Sequence, residues 1–150
     1  TLFLDEIGGI NANVQVKLLK VLESGEFRRV GDNENKRADV RIICATNSPL
    51  DSWKDSGRFR KDLYYRITGM EILMPTLTER TEDILPIARS FLERLCTETG
   101  TVKRFSPAAE EKIFRHRWPG NVRELQNCVS RAFYASAHTM ILEGDIKFVL

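Results

Sequence analysis

Apolar and polar residues fall into blocks whose period changes partway along the chain. The first block, Thr1, Leu2, Phe3 and Leu4, stops abruptly at two acids, Asp5 and Glu6. An apolar run closed by carboxylates predicts a buried parallel strand that delivers charge to a sheet edge. Ile7, Gly8 and Gly9 predict a flexible turn, and Asn11 is suited to cap a helix. In that helix Val14, Leu18, Val21 and Leu22 recur at helical spacing, and Gly25 supplies the stop. Residues 27–37 predict a protruding hairpin around the polar turn Gly31, Asp32, Asn33. Residues 40–45 form a second strand-like run, again ending in polar residues, Thr46 and Asn47. Strand, helix, excursion and strand suit a right-handed parallel crossover. That topology brings Asp5, Glu6 and Asn47 out side by side, at the strand ends where ligands of open α/β sheets sit. Residues 49–56 predict a short helix broken by Gly57. A basic helix follows, with Arg58, Arg60, Lys61 and Arg66 around Leu63, Tyr64 and Tyr65. Residues 70–74 are a third short apolar run, ended by Pro75.

From Thr76 onward the period is helical. Thr81 or Asp83 can cap a helix that tolerates Pro86 in its first turn and carries Ile84, Ile87, Ala88, Phe91 and Leu95 on one face, up to Gly100. Ser106 and Pro107 open a second helix, with Ile113 and Phe114. Trp118, Pro119 and Gly120 turn the chain. Asn121 with Glu124 has the spacing of a capping box, and Val122, Leu125, Val129 and Phe133 form the last buried stripe. Trp118 reads as a core anchor. Three facing stripes predict a small bundle. The fold class is therefore α/β: a partial parallel-sheet core over residues 1–75, then a helical subdomain over 76–150.

Composition narrows the function without naming it. The chain has 150 residues, 42% hydrophobic and 29% charged, with net charge 23 − 21 = +2. That balance demands neither a nucleic-acid nor a membrane partner, and no apolar run approaches a membrane span. Cys44, Cys96 and Cys128 are far apart with no CxxC spacing, which argues against zinc; Cys44 in an apolar strand and Cys128 in an amphipathic helix read as reduced, buried thiols. His116 and His138 stand apart from each other, with no Ser or Cys nucleophile placed by the sequence, so a hydrolase triad has no support. The chain opens inside a strand-like run without Met, as a piece of a longer protein does. The chemistry lies in the acids: Asp5 is suited to hold a hard cation such as Mg2+ through oxygen, and Glu6 to polarise a water for attack on a phosphate. Taken alone, both could equally cap the turn after a strand.

Longer motifs decide between these readings. TLFLDEIGGI at 1–10 resembles the Walker B region of AAA+ ATPases, and more narrowly the central domain of bacterial enhancer-binding proteins, the activators of sigma-54 RNA polymerase. FRRVG at 27–31, RIICATN at 41–47, GRFRKDLYYRI at 57–67 and RWPGNVRELQN at 117–127 follow in that family's order. The resemblance implies ATP and Mg2+ as cofactors, with Asp5 on the metal and Glu6 activating water. Asn47 becomes the first sensor, Arg60 and Arg66 the finger pair reaching a neighbouring subunit's site, and Arg123 the second sensor on the lid. It further implies a homo-oligomeric ring, a hexamer, acting on sigma-54 RNA polymerase in the cytoplasm. Enhancer DNA would be held by a domain outside this chain, with no membrane involved. Arginine suits the finger role because its rigid fork meets phosphate oxygens in two places.

The family's pattern is not complete within these residues. GxxxxGK[ST], the GAFTGA loop and a helix-turn-helix do not occur in the 150 residues. The resemblance therefore implies that this piece alone neither binds ATP well nor hydrolyses it. In the family's sheet the P-loop strand lies between the sensor strand and the 70–74 strand, so apolar edges are expected to lie open to pairing. Other readings are another AAA+ remodelling ATPase, a catalytically inactive AAA+ regulatory module, and a helical DNA-binding module from residues 106–137. The modest charge disfavours the last.

Overall fold

A computed structural model describes residues 1–32 and 34–148, in which the chain divides into two units, Thr1–Ile72 and Leu73–Leu150. In the first unit, strand β1 (Leu2–Leu4) and helix α1 (Ala12–Ser24) lie where the pattern puts them. The Asn11 side chain accepts the Val14 N–H at 3.0 Å and starts the helix. Gly25 ends it at φ 72°, a conformation glycine adopts without steric cost. A hairpin follows, β2 (Glu26–Phe27) antiparallel to β3 (Lys36–Arg37); Asn33, at its expected turn, lies outside the described residues. Strand β4 (Ile42–Cys44) pairs in parallel with β1, Leu2 opposite Ile42 and Leu4 opposite Cys44. Helices α2 (Leu50–Asp55) and α3 (Lys61–Ile67) complete the unit around buried Ile7, Phe59 and Leu63.

Four local expectations are corrected here. β1 is not buried on both faces: Leu2 is 44% and Phe3 59% exposed. A parallel sheet is covered on both faces only when further layers pack on it, and β1 and β4 form a two-stranded sheet. The buried face of α1 is rotated from the expected stripe. Val14 is 43% exposed, whereas the polar Gln15 is 3% exposed and shares a helical face with Leu18, Leu19 and Leu22. Residues 70–74 form no strand, and Met70, Ile72, Leu73 and Met74 are exposed. A strand requires a hydrogen-bonding neighbour, and among the described residues none pairs with this run. Arg60 is not inside its helix but at its N-cap, in extended conformation.

The second unit is a bundle of α4 (Ile84–Thr99), α5 (Pro107–Arg115) and α6 (Asn121–Ala135). Ser106 accepts the Ala109 N–H and starts α5, and Gly100 closes α4 at φ 66°. Asp83 takes the N-cap position of α4 without a side-chain bond. The core joins Leu77, Ile84, Ala88, Leu92, Ile113, Trp118, Leu125, Val129 and Phe133. Each fully buried Leu or Ile contributes roughly 1.5–3 kcal/mol. Cys128 is buried and Cys44 half-buried, and burial pushes both thiols up. Lys103 donates to the Phe133 and Ser136 carbonyls (2.7 and 2.6 Å), placing an ammonium at the C-terminal end of α6.

The unit is not purely helical: β5 (Arg104–Phe105) and β6 (Met140–Ile141) form a short parallel pair. Nor do Asn121 and Glu124 form the expected capping box. Glu124 accepts the Gly120 N–H at 2.8 Å, while the Asn121 carboxamide accepts the Leu77 N–H at 2.7 Å. Asn121 is thus used to tie the start of α6 to a segment far away in sequence. Its φ of 51° is one that Asn tolerates better than most residues.

Candidate functional site

The strand ends set the geometry. The Ala45 N–H donates to the Leu4 carbonyl at 2.9 Å and the Ile7 N–H to the Ala45 carbonyl at 3.0 Å, so pairing of the two strands continues past their ends. Asp5 and Glu6 occupy the turn between those bonds, and Asn47 follows directly after the partner strand. All three are exposed at the same end of one parallel pair. Adjacent strands lie about 4.8 Å apart, so the two acids and the amide emerge within the reach of a phosphate group.

The acid turn is held in an unusual shape. The Glu6 N–H donates to Asp5 Oδ1 at 2.9 Å. Glu6 itself sits at φ 52°, ψ 42°, a left-handed conformation costing a non-glycine residue of order 1–3 kcal/mol. What holds it is the packing just beyond. Ile7 is buried, and Gly8 lies so close to the β4 loop that an added Cβ would stand 2.6 Å from Ser48 Cβ and 2.9 Å from Thr46 Oγ1. Thr46 Oγ1 accepts the Ser48 N–H at 3.0 Å, which shapes the loop carrying Asn47. Gly8→Ala is expected to push these loops apart and destabilise the first unit by roughly 1–3 kcal/mol. An unshifted urea midpoint would contradict that close approach.

The donor set suits a magnesium nucleotide. One Asp5 oxygen is used by the Glu6 amide, and carboxylate oxygen is what a hard cation takes. Among the described residues no group of three or more His, Cys, Asp and Glu gathers. A cation at Asp5 would therefore draw its other ligands from phosphate and water, as Mg2+ does.

Arg60 and Arg66 flank α3. Arg60 is exposed and forks onto Asp62, Nε to Oδ1 at 3.0 Å and Nη2 to Oδ2 at 2.6 Å. This guanidinium holds the Asp62 carboxyl below its ordinary value. Arg66 donates to the Leu22 carbonyl at 3.2 Å, near the C-terminal end of α1. The segment is braced from α2. The Tyr64 hydroxyl donates to Asp51 at 2.6 Å and Lys54 lies 3.2 Å from the same oxygen. Tyr64, then Lys54, lowers the Asp51 carboxyl, and donation to Asp51 raises the Tyr64 hydroxyl. The Arg58 guanidinium stacks 3.7 Å from the Trp53 ring centre.

Arg123 belongs to the second unit, exposed in the first turn of α6. The nearby acids Glu124 and Glu111 are engaged elsewhere: Glu124 with the Gly120 amide, Glu111 with Arg115. The reading of the sequence missed Gln15, whose side chain accepts the Arg60 N–H. The only signal it offers is a polar residue three and four positions from Leu18 and Leu19.

Comparison with known proteins gives this arrangement its class. Residues 1–73 match the family described as Sigma-54 interaction domain, and residues 78–150 match AAA+ ATPase lid domain. The chain belongs to the AAA+ ATPases of the sigma-54-interacting family, as the later part of an α/β core followed by the lid. Among individual proteins it is similar to the Nif-specific regulatory protein of Azotobacter vinelandii, 49% identical over 132 residues, covering 88% of this chain and 25% of that one. The Nif-specific regulatory protein of Rhizobium meliloti is 45% identical over 145 residues, covering 97% and 27%. The chain thus spans about a quarter of the length of these curated relatives. Crystal structures of NtrX from Brucella abortus are similar in fold: TM-score 0.89 in complex with ADP and 0.88 in complex with ATP. Both are 30% identical and cover 97% of this chain and 35% of NtrX. Among the described residues no helix is long and apolar enough to cross a membrane.

Proposed function

We propose that this chain is the Walker B-to-lid portion of an ATP-hydrolysing transcription activator that remodels sigma-54 RNA polymerase at promoters. The observation that carries the reading is the common edge of Asp5, Glu6 and Asn47 at the ends of β1 and β4. The family match and the nucleotide complexes of NtrX support it. The boundary between core and lid falls near Pro75, and the lid carries the second sensor.

Asp5 would hold Mg2+, which when bound would supply neutralisation of phosphate charge. Glu6 orients the attacking water and accepts its proton. Asn47 donates its amide to the γ-phosphate or to that water. Arg60 and Arg66 reach the neighbouring subunit's nucleotide, where a guanidinium offsets charge developing on the equatorial oxygens. For this, Arg60 exchanges Asp62 for phosphate. Arg123, on the lid, reads the nucleotide of its own subunit. The working form is a homo-hexameric ring in the cytoplasm, with enhancer DNA bound by another domain. The P-loop motif does not occur in these 150 residues, so turnover belongs to the longer protein and not to this piece alone.

The test uses that full-length protein. ATP turnover per subunit is expected to rise with protein concentration as neighbours complete each other's sites, and opening of a sigma-54 promoter, read by permanganate reactivity, is expected to require hydrolysable ATP. Promoter opening without ATP, or turnover per subunit independent of concentration down to monomer, would sink the reading.

A further inference from the structure

We infer that Gln15 is the positioning residue for Arg60, acting as a surrogate peptide group that sets where the finger is presented. The inference rests on the proposed trans role of Arg60.

Gln15 is a carboxamide 3% exposed on an otherwise apolar helix face. A buried amide is costly unless satisfied, and this one has three backbone partners. Its Nε2 donates to the Ile10 carbonyl at 3.1 Å and to the Arg58 carbonyl at 3.3 Å, and its Oε1 accepts the Arg60 N–H at 2.9 Å. The pattern across residues 58–60 is that of strand pairing. In extended backbone the carbonyl before a residue and the N–H after it point the same way, and a parallel neighbour meets both with the N–H and C=O of a single residue. Gln15 does this around Phe59, which is fully buried, while Arg60 is extended at φ −66°, ψ 133°.

Leucine would fill the same space with no polar demand. What the carboxamide adds is a defined height and direction for the Arg60 backbone, just before α3 begins. The Ile10 bond extends the link to the loop that follows the acid turn, where Ile7 is fastened to Ala45. Gln15 is buried, with its polar atoms bonded to backbone. It acts through Arg60, whose tip must meet a phosphate in another subunit, and misplacement by about 1 Å can cost on the order of 100-fold.

The experiment mixes subunits of the full-length protein. Gln15→Leu is expected to lower kcat for ATP at least tenfold with KM changed less than twofold, because a subunit's own nucleotide site stays intact. Adding an excess of Glu6→Gln subunits, inactive at their own sites but with intact fingers, is expected to restore turnover at Gln15→Leu sites. Arg60→Ala is rescued in the same way and serves as the reference. Gln15→Glu keeps an oxygen toward the Arg60 N–H but loses donors. It is expected to fall between wild type and Gln15→Leu and to be rescued likewise, and it carries the test if Gln15→Leu fails to assemble. Wild-type kcat in Gln15→Leu, or a loss that Glu6→Gln subunits do not relieve while they relieve Arg60→Ala, overturns the assignment. Failure to rescue Arg60→Ala overturns the trans reading of Arg60, and the Gln15 assignment with it.

Discussion

Arg60→Ala is expected to reduce ATP turnover of the full-length ring by about 1,000-fold or more, while nucleotide binding changes only a few-fold. The side chain is exposed, and its bonds are to Asp62, two residues away. Its removal therefore takes little from folding: exposed ion pairs contribute little, and no core contact is lost. A large kinetic effect would thus report transition-state charge and not damage to the fold. Arg60→Lys is expected to recover only part of the loss, since a point charge does not reproduce a two-pronged contact. Turnover of Arg60→Ala within tenfold of wild type, measured at saturating ATP, would remove Arg60 from the chemistry.

The second large effect is on stability. Trp118→Ala is expected to destabilise the lid unit by about 3–5 kcal/mol, the range for deleting a buried aromatic side chain. Trp118 is 1% exposed, and its indole N–H donates to the Ile113 carbonyl at 2.9 Å, closing the end of α5. Its ring meets His116 and Phe148 edge-on, at 4.6 and 5.4 Å between centres. Truncation leaves a cavity and an unpaired carbonyl at the turn that launches α6 and Arg123. Amide exchange should show α5 and α6 losing protection together. A loss under 1 kcal/mol in chemical denaturation would mean that the turn does not depend on this ring.

Much of the candidate site is legible in the residue pattern because the determinants are short-range. A run of apolar residues ending in Asp5 and Glu6, and another ending in Thr46 and Asn47, are local facts. One rule about parallel crossovers places them at a common edge. The caps at Asn11 and Ser106 and the glycine stops at 25 and 100 likewise involve atoms within a turn of one another. The roles of the individual side chains come from the longer motifs instead.

Other features depend on partners distant in the chain. Gln15 looks misplaced among leucines until residues 58–60 arrive, 43 positions later in the case of Arg58, to receive its amide. Asn121 suits a capping box, yet its side chain goes to Leu77, 44 positions earlier. The apolar run at 70–74 has strand composition but no ladder to join among the described residues.

The order of residues thus specified most of the elements, many of their ends and the edge from which the acids emerge. Capping and steric preference act over a few bonds, and hydrophobic period fixes which element forms. The folded arrangement chose which face of α1 turns inward, what Gln15 and Asn121 bind, and the strained shape at Glu6. A buried polar group or a costly backbone angle is tolerated only where separate segments meet to satisfy or enforce it, and no stretch read alone contains that meeting.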